Sequence, residues 1–320
     1  MIIVIKAVAC GELLIDFNSV AKDEMGYPTI EAHPGGATIN CLATLRKFDA
    51  EAAFIGKVGD DAFGKLLLGT LSERGIDTSN VVSTPDAFTT LAFVTLDETG
   101  DREFSFARKP GADLQMSFDE TDLSVFEGAD VFHFGTVSMT AEPSRTSTKK
   151  FVEYARSKGI LIGYDPNLRE SLWKSLEDAK EQIRWGLGKA DVVKISDNEV
   201  EFLYGLGPGA GMNRILEDYP NIRLIYVTCG AEGCYFGSRG VSGFTPSMKG
   251  LKVVDTCGAG DIFGGSAMYR LLSSGKAIEE LTEEDLTGIT RFAATAAGLS
   301  TLKHGGISSI PEFEDVLAHM

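Results

Sequence analysis

The chain is poor in the residues that build covalent or metal frameworks. Its five cysteines, Cys10, Cys41, Cys229, Cys234 and Cys257, are odd in number and include no CxxC pair. That usage argues against a disulfide scaffold and a zinc site, and fits a reducing compartment such as the cytoplasm. Four histidines, His33, His133, His304 and His319, lack metal-ligand spacing, and no GxSxG occurs, so a hydrolase reading has no support. No segment offers about 18 uninterrupted apolar residues, and no membrane span is expected. The opening run MIIVIKAVACGELLIDF is broken by Lys6, has no basic stretch before it, and reads as a first β-strand rather than a leader. Positive charge is scarce too: 30 Lys and Arg stand against 46 Asp and Glu, a net charge of −16. This opposes binding to nucleic acid or anionic lipid. A small anion stays compatible, because local backbone amides and a divalent ion outweigh a distant, screened field.

What is present suffices for one large core. The 320 residues are 43% hydrophobic and 24% charged, ordinary for a globular chain with a single doubly wound domain and an appendage. Continuous apolar runs recur at 2–10, 52–58, 130–135, 160–165, 191–196 and 222–228. Unbroken rather than alternating runs predict strands buried on both faces. Helical periodicity lies between them in ATINCLATLRKF, DDAFGKLLLGTLSERG and SRTSTKKFVEYARSKG, and later in LTGITRFAATAAGLS. Strands alternating with helices predict an α/β fold with a mostly parallel sheet covered on both sides. One stretch departs from this. TLAFVTLD at 90–97 and REFSFARK at 102–109 alternate in period two around the turn-prone 98–101, which predicts a hairpin. Leu91, Phe93 and Thr95 fall on one face of its first strand, and Phe104, Phe106 and Arg108 on one face of its second. Two strands alone are unstable, so the hairpin needs partners, for which 12–32 is the nearest candidate.

The strongest chemical signal is Asp255-Thr256-Cys257-Gly258-Ala259-Gly260-Asp261, followed at once by the helical run IFGGSAMYRLL. Small residues at a helix start let a phosphate approach free N–H groups, where the dipole favours negative charge. Asp261 then falls in the first helical turn, where a carboxylate can take a proton from an attacking hydroxyl. The competing reading of the same run is a glycine-shaped turn with Asp261 as helix cap. Three polar segments follow predicted strands: Asp165-Pro166-Asn167-Leu168-Arg169, Ser196 to Glu201, and Thr228 to Gly233. Open α/β sheets bind ligands beyond the carboxyl ends of their strands, so these segments are expected to converge, although each alone reads as a turn. Pro34-Gly35-Gly36-Ala37-Thr38-Ile39-Asn40 leads into the first helix and presents backbone and Asn40 to a ligand. Asp16, read as closing the strand GELLID, offers two oxygens to adjacent hydroxyls. Two decoys fail. Gly59 to Leu66 lacks the Ser or Thr a P-loop needs, and GAGDIFGG has Phe263 at the third glycine position of a dinucleotide fingerprint.

On these residues the chain resembles the ribokinase-type (PfkB) carbohydrate kinases, most closely the fructokinases within them. PGGATIN resembles the N-terminal signature of that family and DTCGAGDIFGGSA its C-terminal one, in order and about two hundred residues apart. AFIGKVGDDAFG, HFGTVSM and YDPNLR extend the likeness over most of the chain. The resemblance implies a three-layer α/β/α sandwich over 1–320 with a β-lid built from segments 12–32 and 88–110. It implies transfer of the ATP γ-phosphoryl group to a sugar, D-fructose first, with 2-keto-3-deoxygluconate or a riboside as alternative acceptors. A non-catalytic sugar- or nucleotide-binding protein is the rival from another class, and a nicotinamide oxidoreductase is remote. Carried onto this sequence, Asp261 is the base and Cys257, Gly258, Ala259 and Gly260 form the anion hole. Asp16, Gly35, Gly36 and Asn40 hold the sugar with Phe106, Arg108 and Arg169. Asn198 and Glu201 match an NxxE that orders Mg²⁺ and phosphates mostly through water, and Thr228, Gly230 and Gly233 match the nucleotide turn. Many members also use a monovalent cation such as K⁺, for which Asp255, Cys257, Ser300, Gly305 and Ser309 are the matching region. Cys257 replaces the commoner Thr. A homodimer through the lid is a further implication.

Overall fold

A computed structural model describes residues 4–96 and 102–320. The strands are β1 (Lys6–Cys10), β2 (Leu14–Lys22), β3 (Pro28–Gly35), β4 (Glu51–Gly59), β5 (Ile76–Thr84), β6 (Thr90–Leu96), β7 (Arg102–Ala107) and β8 (Val131–Gly135). Then come β9 (Leu161–Asp165), β10 (Val192–Ser196), β11 (Leu224–Thr228), β12 (Gly233–Ser238) and β13 (Val241–Pro246). The helices are α1 (Ala37–Lys47), α2 (Ala62–Glu73), α3 (Ser144–Ser157), α4 (Leu176–Leu187) and α5 (Asp197–Tyr204). Last are α6 (Pro208–Asp218), α7 (Ala259–Ser273), α8 (Glu283–Ser300) and α9 (Phe313–Ala318).

Nine strands form one sheet in the order β13-β12-β11-β10-β9-β8-β1-β4-β5, parallel from β11 to β5, with β12 and β13 antiparallel at one edge. Alternate residues feed two different cores, which is why the strand runs are apolar throughout. Ala7 and Ala9 of β1 and Leu224 and Tyr226 of β11 join the layer that holds Ile39, Leu42, Phe263 and Phe292. Val8, Cys10, Ile225 and Val227 join the layer that holds Phe151, Ile183 and Ile215. The expected sandwich is therefore present. The strands β5, β12 and β13, which the apolar-run reading passes over, complete its edges, where exposed positions interrupt the buried ones and weaken the signal. Strand order reverses at β1, between β4 and β8. A crevice is expected there, beyond the strands' carboxyl ends.

The second sheet has the order β3-β2-β6-β7. The predicted hairpin is β6 and β7, and it finds partners in β2, parallel to β6, and β3. Its turn at 98–101 and the side chains of Thr95 and Phe104 lie outside the described residues. Phe17 of β2 stacks on Phe93 of β6 at 5.3 Å and meets Phe63 of α2 edge-on at 5.5 Å, fastening this sheet to the sandwich. Asp16 stands near the start of β2 and not at a strand end, because pairing to β3 and β6 carries the strand on through Lys22. Arg108 lies just past the end of β7.

Candidate active site

Two hollows flank the start of α7. The first, of about 430 Å³, is lined by Glu12, Asp16, Gly36, Asn40, Phe106, Arg169, Cys257, Gly258 and Asp261 among others. The second, of about 1110 Å³, is lined by Thr228, Gly230, Gly233, Ala259 and Gly260, with Met248, Leu251, Val253, Phe263, Ala294 and Ala297. Cys257, Gly258 and Asp261 thus face the smaller hollow, and Thr256, Ala259 and Gly260 the larger. Most of the residues marked from sequence for sugar or nucleotide converge here.

Gly258 is the N-cap of α7, with φ +75° and no side-chain cap. The Ala259 N–H donates to the Thr256 carbonyl (3.3 Å), and the later first-turn donors lie at the positive end of a 15-residue helix dipole, where an anion is favoured. A Cβ on Gly258 would stand 2.8 Å from the Cα of Gly306, so only glycine lets the 305–306 turn pass this close. Asp261 is in the first turn but does not cap the helix. Its Oδ2 accepts a 2.8 Å hydrogen bond from Asn40 Nδ2 on α1, and it is buried in the wall of the smaller hollow. Burial first, then the charge of Asp165, pushes its carboxyl up to about 7, against the opposing pull of Lys194, Asn40 and Arg169.

Of the residues that the resemblance assigns to the sugar, Asp16, Gly36, Asn40, Phe106 and Arg169 line the smaller hollow, and Gly35 and Arg108 do not. Gly36 (φ +126°) caps α1, and a Cβ there would strike the Glu12 carbonyl at 2.3 Å. A Cβ on Gly35 would fall 2.1 Å from Asp16 Oδ2, which places that carboxylate directly over the glycine pair. Arg169 and Asn167 follow β9 in left-handed backbone, φ +46° and +48°, and both line the hollow. Arg108 does not line it. Its guanidinium donates to Asp113 Oδ2 (Nε, 2.9 Å), to Thr140 (2.9 Å) and to the Val137 carbonyl (3.0 Å) in a buried cluster. As a substrate contact Arg108 is corrected to a scaffold residue, since its donors are spent within the fold.

The nucleotide-side residues divide as well. Thr228, Gly230 and Gly233 line the larger hollow. Asn198 and Glu201 are exposed and line neither hollow. Between them Glu199 is buried, accepting from the Leu168 N–H (2.8 Å) and from the N–H and hydroxyl of Ser196 (2.8 and 2.9 Å). The acid of this turn that faces the strand ends is therefore Glu199, held by a capping box whose geometry dictates its direction. Asp255, Cys257 and Gly305 meet: the Asp255 carboxylate accepts from the N–H groups of Cys257 (2.8 Å) and Gly305 (2.9 Å) and from Asn18 of β2 (3.4 Å). The Ser300 and Ser309 hydroxyls are buried and donate to the local carbonyls of Ala297 and Gly306.

Glu12 and Lys194 are not singled out by the sequence, and Asn167 is marked only as part of the segment 165–169. Glu12, in CGELLID, is buried and accepts from the Ala37 N–H at 2.7 Å, and burial raises its pKa. Asn167 sits in the YDPNLR turn. Lys194 interrupts the apolar run DVVKIS and pairs with Asp165 at 3.0 Å. For Glu12 and Lys194 the available signal was a charge at or inside a run destined for burial, where charged residues are rare unless paired.

A family model described as pfkB family carbohydrate kinase matches residues 4–312. The chain belongs to the pfkB family of carbohydrate kinases. The kinase is 39% identical over 318 residues to Fructokinase-1 of Zea mays, covering 97% of this chain and 96% of that one. It is 38% identical to Probable fructokinase-2 of Arabidopsis thaliana over 316 residues, 95% and 92% of the two chains. The structure of Xylella fastidiosa fructokinase with bound ATP superposes with a TM-score of 0.87 at 28% identity, covering 98% and 97%. Vibrio cholerae O395 fructokinase, in its fructose, ADP and calcium ion bound form, superposes at 0.86 with 27% identity, covering 98% of each chain.

Proposed function

We propose that the kinase is a fructokinase that transfers the γ-phosphoryl group of ATP to the primary hydroxyl of D-fructose, giving fructose 6-phosphate. One observation carries this reading: consecutive residues at the start of α7 line the two hollows, Ala259 and Gly260 the larger and Asp261 the smaller. A phosphoryl group held at that helix start lies between a nucleotide on one side and a hydroxyl on the other, which is the arrangement in-line transfer needs.

In the smaller hollow, Asp16 accepts from adjacent sugar hydroxyls. Asn40 anchors Asp261 through Nδ2, and its buried Oδ1 makes no hydrogen bond among the described residues, so it is open to a sugar donor. Asp261 then takes the hydroxyl proton at Oδ1, since Oδ2 is held by Asn40. The first-turn amides of α7 stabilise charge on the transferring group. Among the described residues no three His, Cys, Asp or Glu cluster to cage a metal, which suits a Mg²⁺ bound mainly by nucleotide phosphates and water beside Glu199. When bound, that ion neutralises phosphate charge. The buried Asp255 carboxylate, with Cys257 and Gly305 against it, would be the charged group for a monovalent cation such as K⁺, for which the resemblance adds Ser300 and Ser309.

The four-stranded sheet acts as the lid, with Phe106 reaching the sugar hollow, so that closure excludes water as competing acceptor. The exposed Tyr27 and Ile30 on the β2–β3 side support dimerisation through this sheet. Light scattering that shows a monomer at micromolar concentration removes that part. Five free cysteines suit a cytoplasmic enzyme.

Acid sugars such as 2-keto-3-deoxygluconate fit less well. With Arg108 committed to Asp113, only Arg169 of the two arginines is at the hollow to meet a carboxylate. An ADP-release assay over fructose, ribose, 2-keto-3-deoxygluconate and ribosides, with and without K⁺, decides the acceptor. Fructose should give the highest kcat/KM. Turnover on none of the panel would favour a non-catalytic binding protein.

A further inference from the structure

Lys194 stands on β10 between the fully buried Val193 and Ile195. Its Nζ lies 3.0 Å from Asp165 Oδ2, and a Cβ built on Gly260 would fall 3.0 Å from the same nitrogen. The ammonium is therefore wedged between the end of β9 and the first turn of α7, beneath the phosphate cradle. Asp165 is buried as well, and its second oxygen, Oδ1, makes no hydrogen bond among the described residues. Two buried carboxylates, Asp165 and Asp261, thus share one low-dielectric region with one ammonium.

Like charges in such a site cannot both stay ionised unless a cation compensates one of them. We propose that Lys194 and Asp165 form a positioning pair for phosphoryl transfer, in which Lys194 keeps the Asp261 carboxylate ionised and proton-accepting beside a second carboxylate. The inference rests on Asp261 being the base. The groups that act on Asp261 are Asp165 from β9, Lys194 from β10, Arg169 from the loop after β9, and Asn40 and the buried Cys41 thiol from α1. Asp165 opposes ionisation of Asp261, and Lys194, Asn40 and Arg169 favour it. Burial works against the Lys194 ammonium, yet the charges of Asp165, Glu199 and Asp261 hold it well above an ordinary lysine. His133 of β8, one step below in the same layer, is pushed down to about 4 by burial and by Lys194, so it adds no charge at neutral pH. A lysine that only tied β9 to β10 would not need to abut Gly260.

The test is the pH profile of kcat/KM for the sugar at saturating Mg²⁺ and ATP, in the full-length enzyme. Lys194→Met should move the acid limb up by about one pH unit or more, because the compensating charge is gone. Asp165→Asn should move it down, because the opposing carboxylate is gone. The double variant should return the limb toward wild type. A loss of rate with an unmoved limb in Asp165→Asn would overturn the proposal and leave a structural fastener. Asp165→Asn buries no uncompensated carboxylate, so it carries the test if Lys194→Met fails to fold. Asp261→Asn separates the two ideas: near-normal turnover there would remove the base reading itself, whereas shifted or unshifted limbs in the other variants bear on the pair.

Discussion

The two hollows beside α7 differ in how they hold a ligand. The smaller one is walled by Glu12, Asp16, Asn40, Arg169 and Asp261, each on a different segment. The larger is walled by Met248, Leu251, Val253, Phe263, Ala294 and Ala297, with glycines at its phosphate end. Polar walls discriminate strongly, because a ligand lacking one hydroxyl leaves a buried group unpaired. Apolar walls grip by area and tolerate change. On the proposed function, sugar choice lives in a few side chains and nucleotide affinity in a broad surface.

The comparison can be broken at several points. The largest effect is expected at the junction: Asp261→Asn should lower kcat on the order of 10²-fold or more while sugar and ATP still bind, read by steady-state kinetics and by titration of each ligand. Next, Asp16→Ala should cut kcat/KM for the sugar by about 10 to 100-fold through lost charge-assisted hydrogen bonds, with the KM for ATP nearly unchanged. An equal rise in both KM values would mean the hollows are not separate. Third, below the Asp261 value of about 7, kcat/KM should fall about tenfold per pH unit, because only the deprotonated carboxylate accepts the proton; a flat profile from pH 5 to 7 would contradict this. Ala297→Phe, in the apolar wall, should raise the KM for ATP about tenfold and leave the sugar KM alone. The smallest catalytic effect belongs to Arg108→Met, whose sugar KM should stay within about threefold. Its cost is stability, about 3–5 kcal/mol in denaturant unfolding, because Asp113 is left as a buried, unpaired charge.

Legibility followed the physics of each element. The central strands and α1, α2, α3 and α8 were readable because burial on two faces, or on one helical face, writes its period into the residues. The cradle was readable because small residues before a helix serve few other purposes as well. The acidic arm was misplaced by two residues, since spacing alone cannot distinguish Glu199 from Glu201; a capping box turns only the former inward. Arg108 looked like a ligand contact because an arginine after an alternating strand reads the same whether it faces solvent, substrate or a buried aspartate.

By itself the sequence determined the α/β layering, the hairpin and a glycine-rich helix start with an acid in its first turn, all of which depend on local pattern and backbone conformation. The tertiary structure decided what depends on separation across the chain. It brought Asn40 to Asp261 across 221 residues and paired β2 with β6 to complete the second sheet. It also set Lys194 and Asp165 under Gly260. Electrostatics falls with distance in space and takes no account of distance along the chain, so the ionisation of Asp261 was beyond any local reading. That same carboxylate, one of 46 acids in the sequence, is distinguished by what the fold packs against it.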